Sequence, residues 1–121
     1  MTCDTINKKE GSEIMIKNKE VLRYRIDGDL LEITPIGEID HHNALELRSE
    51  ADKLIKKYKP NTLWLNLQKI DFMDSSGLGF IMGRMSLMEK TGGILIIKSP
   101  SKSVQKICRL AGLERLVKIE K

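Results

Sequence analysis

The residues with most capacity for chemistry form one run, Asp71-Phe72-Met73-Asp74-Ser75-Ser76-Gly77-Leu78-Gly79-Phe80. A carboxylate and two hydroxyls fall where a loop turns into the start of a helix. The first backbone N–H groups of a helix lack partners within it, and the aligned peptide dipoles favour negative charge there. A phosphate carried by a serine at that position would be held by those groups. The same residues also serve a plainer purpose. Asp74, Ser75 or Ser76 can cap the helix, a contribution of about 1 kcal/mol. One of the three can cap while another stays reactive, so the two readings coexist.

A second constellation is Asp40-His41-His42-Asn43. Two adjacent histidines project in different directions, and no third ligand stands at a recognisable spacing, which speaks against a metal. A loop that recognises a partner is the preferred reading. Hydrolase chemistry fails, because Ser75 lies between Asp74 and Ser76-Gly77 and not in Gly-x-Ser-x-Gly. Gly77-Leu78-Gly79 lacks the lysine and spacing of a phosphate-binding loop, and the next glycine, Gly83, falls one residue beyond the dinucleotide pattern. Cys3 and Cys108 suit neither a disulfide framework nor a zinc site. Cys108 lies on an apolar stripe and is read as a core residue. The chain therefore reads as a binding protein, without catalytic residues or a cofactor.

The elements that must hold these residues follow from hydrophobic periodicity. Val21 to Ile26 alternates, Asp27-Gly28 turns, and Leu31 to Glu38 returns as a second strand. Pro35 cannot donate to a ladder, so an edge or a bulge is expected there. Ala44, Leu47, Ala51, Leu54, Ile55 and Tyr58 recur at helical spacing, with Asn43 as N-cap and Pro60-Asn61 as the stop. Thr62 to Leu67 is near-continuously apolar and reads as a buried strand. Gln68 to Asp74 reads as a loop, followed by a helix with Leu78, Ile81, Met82, Met85 and Met88 inward. Phe80, Gly83, Arg84 and Leu87 lie off that stripe. Gly79 and Gly83 cost the helix about 1 kcal/mol each, and close packing inside the chain is preferred to partner contact as their reason. Gly93 to Lys98 is another strand. A third helix from Ser99-Pro100-Ser101 points Val104, Ile107, Cys108 and Ala111 inward and stops at Gly112, and Leu116 to Ile119 is the last strand. Helices alternating with strands predict an α/β single domain, a mixed sheet packed against helices. Residues 1–12 read as a disordered or loosely ordered tail and 13–121 as the domain, with a short strand expected at Ile14-Met15-Ile16.

The chain has 121 residues, 40% of them apolar and 31% charged, enough to bury a core and unlike a disordered segment. Its longest apolar runs fall far short of the roughly 20 residues of a membrane span. The polar start, Met1-Thr2-Cys3-Asp4-Thr5, lacks a signal-peptide core. A cytoplasmic location is expected, with no membrane. The net charge of +4 is modest and its lysines are scattered, so direct nucleic-acid binding has little support. Monomer is the expected state.

Asp74-Ser75-Ser76-Gly77-Leu78-Gly79, following Leu65-Asn66-Leu67, resembles the signature of the STAS domain in anti-sigma factor antagonists. The stretch Gly37-Glu38-Ile39-Asp40-His41-His42-Asn43-Ala44 is similar to the first loop of their sporulation members. The match runs from about Val21 to Ile119 in element order. The resemblance implies a STAS-type fold and a partner switch. The unphosphorylated chain would bind an anti-sigma factor that is itself a serine kinase, releasing the sigma factor. Phosphorylation of Ser75 by that kinase would end binding, and a PP2C-type phosphatase would restore it. The loop aspartate corresponds to Asp40, expected close to Ser75 and in contact with the kinase. The partner-binding set is then Asp40, His41, His42, Asn43, Asp74, Ser75, Ser76, Gly77, Leu78 and Gly79. The alternative is a STAS domain serving as a subunit of a lipid-transport complex, or as a nucleotide-responsive binding module.

Overall fold

A computed structural model describes residues 20–121. The tail and the short strand expected at Ile14-Met15-Ile16 lie outside the described residues. The chain opens with the hairpin: strand β1 (Leu22–Asp27) pairs antiparallel with β2 (Leu30–Pro35), Asp27 opposite Leu30. Gly28 makes the turn at φ 61°, a conformation that costs glycine nothing. β3 (Gly37–Ile39) leads to helix α1 (Ala44–Tyr58), which ends as Lys59 turns left-handed and returns its N–H to Ile55. Then come β4 (Thr62–Asn66), β5 (Ile70–Met73), α2 (Ser75–Lys90), β6 (Ile94–Lys98), α3 (Lys102–Leu110), a 3₁₀ turn at Leu113–Arg115 and β7 (Lys118–Glu120).

Five strands form one mixed sheet in the order β1-β2-β4-β6-β7, with β2, β4, β6 and β7 parallel. β3 and β5 form a separate parallel pair. This is the α/β, mixed-sheet architecture expected. The core lies between one face of the large sheet and the helices. Leu31, Ile33, Leu63, Leu65 and Ile97 on that face have no solvent exposure, and Leu47, Ala51, Ile55, Ile81, Met88 and Val104 meet them from the helices. Each of the larger side chains contributes about 1.5–3 kcal/mol by leaving water, and Ala51 less. Cys108 is fully buried there, and burial, with Glu114 adding to it, pushes its thiol above its ordinary value. It is a core residue, as its stripe predicted, and an inert one.

Several details depart from the pattern. The strand expected from Leu31 to Glu38 is broken after Pro35: Ile36 donates to Val21, and Gly37, at φ 95°, starts β3 with a register shift. The irregularity anticipated at Pro35 is a change of sheet. The reading of Gln68 to Asp74 as pure loop is incorrect, because it contains β5. Among the described residues β4 is not covered on both faces. Its burial alternates, and Trp64 lies half-buried on the open face, with the Lys98 ammonium 4.3 Å from its ring centroid. The ladder of charges around it, Arg25 to Glu32 and Lys98 to Glu120, keeps that face compatible with water. Ala111 is exposed, not inward, as the C-cap of α3, and the last strand starts at Lys118 because Leu113–Arg115 first closes a 3₁₀ turn.

Candidate functional site

The β3–β5 pair brings the two motifs together. Glu38 lies opposite Phe72 and Ile39 opposite Met73, so the parallel strands end side by side, and Asp74 donates its N–H to Ile39 at 3.2 Å. The loop Asp40-His41-His42-Asn43 and the run Asp74-Ser75-Ser76 therefore leave the same carboxyl-terminal edge, where open α/β sheets place their binding residues. His41 reaches across, its Nδ1 3.9 Å from Asp74 Oδ2.

Asp40 organises its loop. Its Oδ1 accepts the N–H of His42 at 2.9 Å and of Asn43 at 3.2 Å, while its carbonyl accepts the N–H of Ala44. Asn43 occupies the N-cap position of α1, but the capping role expected of its side chain is incorrect. The side chain turns back instead, its Oδ1 accepting from Asp40 N–H and its Nδ2 donating to the Glu38 carbonyl. Partial burial pushes the Asp40 carboxyl up, but the two backbone N–H groups and the imidazoles of His42 and His41 outweigh it and hold it below its ordinary value. The histidines do not diverge as expected. Their ring centroids lie 4.0 Å apart and both rings are exposed. Among the described residues no three His, Cys, Asp or Glu side chains group as metal ligands.

At the start of α2 the question of which residue caps is answered by Asp74, whose Oδ1 accepts from Ser76 N–H at 2.7 Å. Ser75 is the first helical residue. It is exposed, and its hydroxyl has no partner among the described residues. Ser76 and Leu78 are partly buried and Gly79 is exposed. Gly77 does not belong to the surface. It is buried, and a Cβ there would stand 1.9 Å from Met73 Cγ. Its job is to let α2 lie close against β5. Gly79 and Gly83 behave oppositely: nothing stands within 4 Å of an added Cβ at either, so close packing inside the chain is not their reason.

The helix is buried over a wider arc than its expected stripe. Ile81 and Met88 point inward, but Met82 is 45% exposed, while Phe80 and Arg84 are buried. Arg84 crosses to α1, its Nε 2.8 Å from Asp52 Oδ1 and its guanidinium 5.2 Å from the Phe80 ring centroid. Nη1 is buried without a hydrogen-bond partner among the described residues. Burial lowers the Arg84 pKa and Asp52 opposes that; the group remains cationic at any ordinary pH. The pair was invisible in the sequence, where a lone arginine off the stripe reads as surface. Beside it a groove opens between α1 and α2, lined by His41, Ala44, Leu45, Arg48, Ser76, Gly79 and Phe80. Leu45, at 69% exposure, lines the groove with Ser76, and Phe72, at 50%, adds apolar surface on β5.

Fold and site together define a small α/β module with an exposed serine at a helix start. The STAS domain family profile matches residues 17–121, and the chain belongs to that family. It is 36% identical over 77 residues, 64% of this chain and 66% of the relative, to the anti-sigma F factor antagonist of Lysinibacillus sphaericus. Among solved structures it resembles the anti-sigma factor antagonist SpoIIAA in its unphosphorylated form, with a TM-score of 0.71 and 29% identity over 83% of this chain and 88% of that one. The phosphorylated form of SpoIIAA, the Bacillus cell fate determinant, gives 0.64 and 28% over 83% of this chain and 91% of that one.

Proposed function

We propose that this chain is an anti-sigma factor antagonist switched at Ser75. Unphosphorylated, it binds an anti-sigma factor that is also a serine kinase, and the sigma factor is released. Phosphorylation of Ser75 ends binding, and a PP2C-type phosphatase restores it. The observation that carries this reading is the division of labour at the start of α2. Asp74 caps the helix, which leaves the Ser75 hydroxyl exposed and without a partner among the described residues. Support also comes from the similarity to an anti-sigma F factor antagonist and to a protein solved in a phosphorylated form. The resemblance of Asp40-His41-His42 to the sporulation members favours a sporulation role over a general stress response.

A phosphate would add a charge of about −1.5 to −2 at pH 7. It would stand on a loop edge that already carries Asp74 and Asp40, beside the exposed apolar side chains of Leu45 and Phe72. A partner surface matched to a neutral hydroxyl then meets clustered negative charge that it must desolvate. Within the chain the helix N-terminus favours that charge. In this reading Asp40, His41, His42 and Asn43 form the second rim of the contact, and Gly77 acts indirectly through the position of α2.

The test is intact-mass analysis and peptide mapping after incubation with ATP and the cognate anti-sigma kinase. One phosphate on Ser75, absent from Ser75→Ala, is expected. Phosphate on Ser76 moves the site. No phosphate, from a kinase active on its own substrate, overturns the switch in favour of a STAS domain with another ligand.

A further inference from the structure

Among the described residues Arg48 is a cation of the site without an ion pair. On α1 the acid one turn on is Asp52, at the i, i+4 spacing at which oppositely charged side chains can meet. Asp52 is instead held by Arg84 of α2, which is buried and cannot exchange that contact for water. Arg48 makes no ion pair among the described residues. It lines the groove whose other walls are Ala44, Leu45, Gly79 and Phe80, with Ser76 and His41 alongside, and among the described residues no carboxylate lines that groove. Gly79 leaves the floor bare, with nothing within 4 Å of an added Cβ.

We propose that this groove seats an acidic-aliphatic segment of the anti-sigma factor, a partner carboxylate bonding to the Arg48 guanidinium and an aliphatic side chain lying over Leu45, Gly79 and Phe80. The inference rests on the partner assigned in the preceding subsection and adds the chemistry that selects it. Charge complementarity carries it: an unpaired cation at the rim of an apolar groove is satisfied by an acid beside a hydrophobic residue. A guanidinium is weakly hydrated and meets a carboxylate with two parallel N–H donors, so it loses little on leaving water. Arginine is accordingly enriched among residues that dominate interfaces. Ser76 lines the same groove, so a phosphate on the neighbouring Ser75 would bring negative charge to where that carboxylate must arrive.

The experiment is calorimetric titration of the full chain with its cognate anti-sigma factor at several salt concentrations. Wild type, Arg48→Ala, Arg48→Glu and Arg109→Ala, an exposed arginine on α3, are compared. Arg48→Ala should bind about 10- to 100-fold more weakly, and Arg48→Glu more weakly still. The fall of affinity with salt should be shallower in Arg48→Ala, a readout that a purely structural role would not move. Thermal midpoints of the Arg48 variants should match wild type, since the side chain is exposed. Wild-type affinity in both Arg48 variants overturns the proposal, as does an equal loss in Arg109→Ala. A wild-type dimer that Arg48→Glu dissociates gives the groove to a second copy and overturns it too. Absence of any wild-type binding instead removes the partner reading itself.

Discussion

At the scale of single residues the site rests on two aspartates with different duties. Asp74 satisfies a helix start, whereas Asp40 ties its own loop through the N–H groups of His42 and Asn43. Those bonds favour the charged form of Asp40 and lower its pKa from the ordinary 3.8. The folded chain therefore holds this proton less tightly than the unfolded one. The stabilisation is present above the ordinary value and is lost as pH falls through the lowered one. Chemical denaturation between about pH 5 and pH 2 should show wild type losing more stability with acid than Asp40→Asn does. Parallel slopes would mean that the loop does not depend on the carboxylate. Comparing the two proteins also removes the common contribution of Glu120, lowered by its hydrogen bonds to Lys98 and Lys118.

The helix α2 shows how little sequence spacing says about the purpose of a glycine. Gly77 and Gly79 are two residues apart, yet one is buried against Met73 and the other faces open space. Gly79→Ala should raise stability by about 0.5–1 kcal/mol, the usual gain in helix propensity. Gly77→Ala should lower it by about 1 kcal/mol or more, because Met73 is 1% exposed and has nowhere to move. Urea midpoints that shift the same way for both would contradict the packing described. The α1–α2 seam yields a second contrast. Asp52→Ala strands the buried Arg84 guanidinium and should cost about 2–3 kcal/mol, below the value for a fully buried pair because the Asp52 side chain is 25% exposed. Arg84→Met keeps the packing on Phe80 and leaves a carboxylate that is partly exposed, with only its Oδ1 buried, so a loss of about 1–2 kcal/mol, smaller than that of Asp52→Ala, is expected. Equal losses in thermal or urea unfolding would show that the pair is not held as the distances indicate.

Across the whole molecule the proposed switch alters binding and leaves folding alone. The serine stands outside the core that joins the sheet to the helices, and α2 is anchored below it by Gly77, Ile81 and Met88. Ser75→Asp should therefore unfold within about 1 kcal/mol of wild type while losing affinity for the anti-sigma factor, and Ser75→Ala should keep both. A Ser75→Asp chain that melts far below wild type would place the effect in folding. The uncovered face of the sheet, with Trp64 under Lys98 and its charges paired, lies on the opposite side of the sheet from the helices that carry the groove. Substitutions there should not enter into this switch.

What the sequence determined by itself were the elements with strong periodicity and the identity of the motifs. α1, α2, the buried strands and the two site loops are legible because apolar spacing and turn residues act locally. Ser75 and Asp40 could be singled out from residue type and resemblance alone. Three matters were decided only in the tertiary structure. β5 is too short and too polar at Asp71 to announce itself, and it exists because β3 offers it an edge. The choice of Asp74 as cap depended on how β5 delivers the chain into α2. The burial of Arg84 arose because α1 presents Asp52 across the seam, a pairing 32 residues apart. Local pattern fixes which face of an element is apolar; only the packed neighbours determine which charged group is left without an ion pair, and among the described residues Arg48 is one such group.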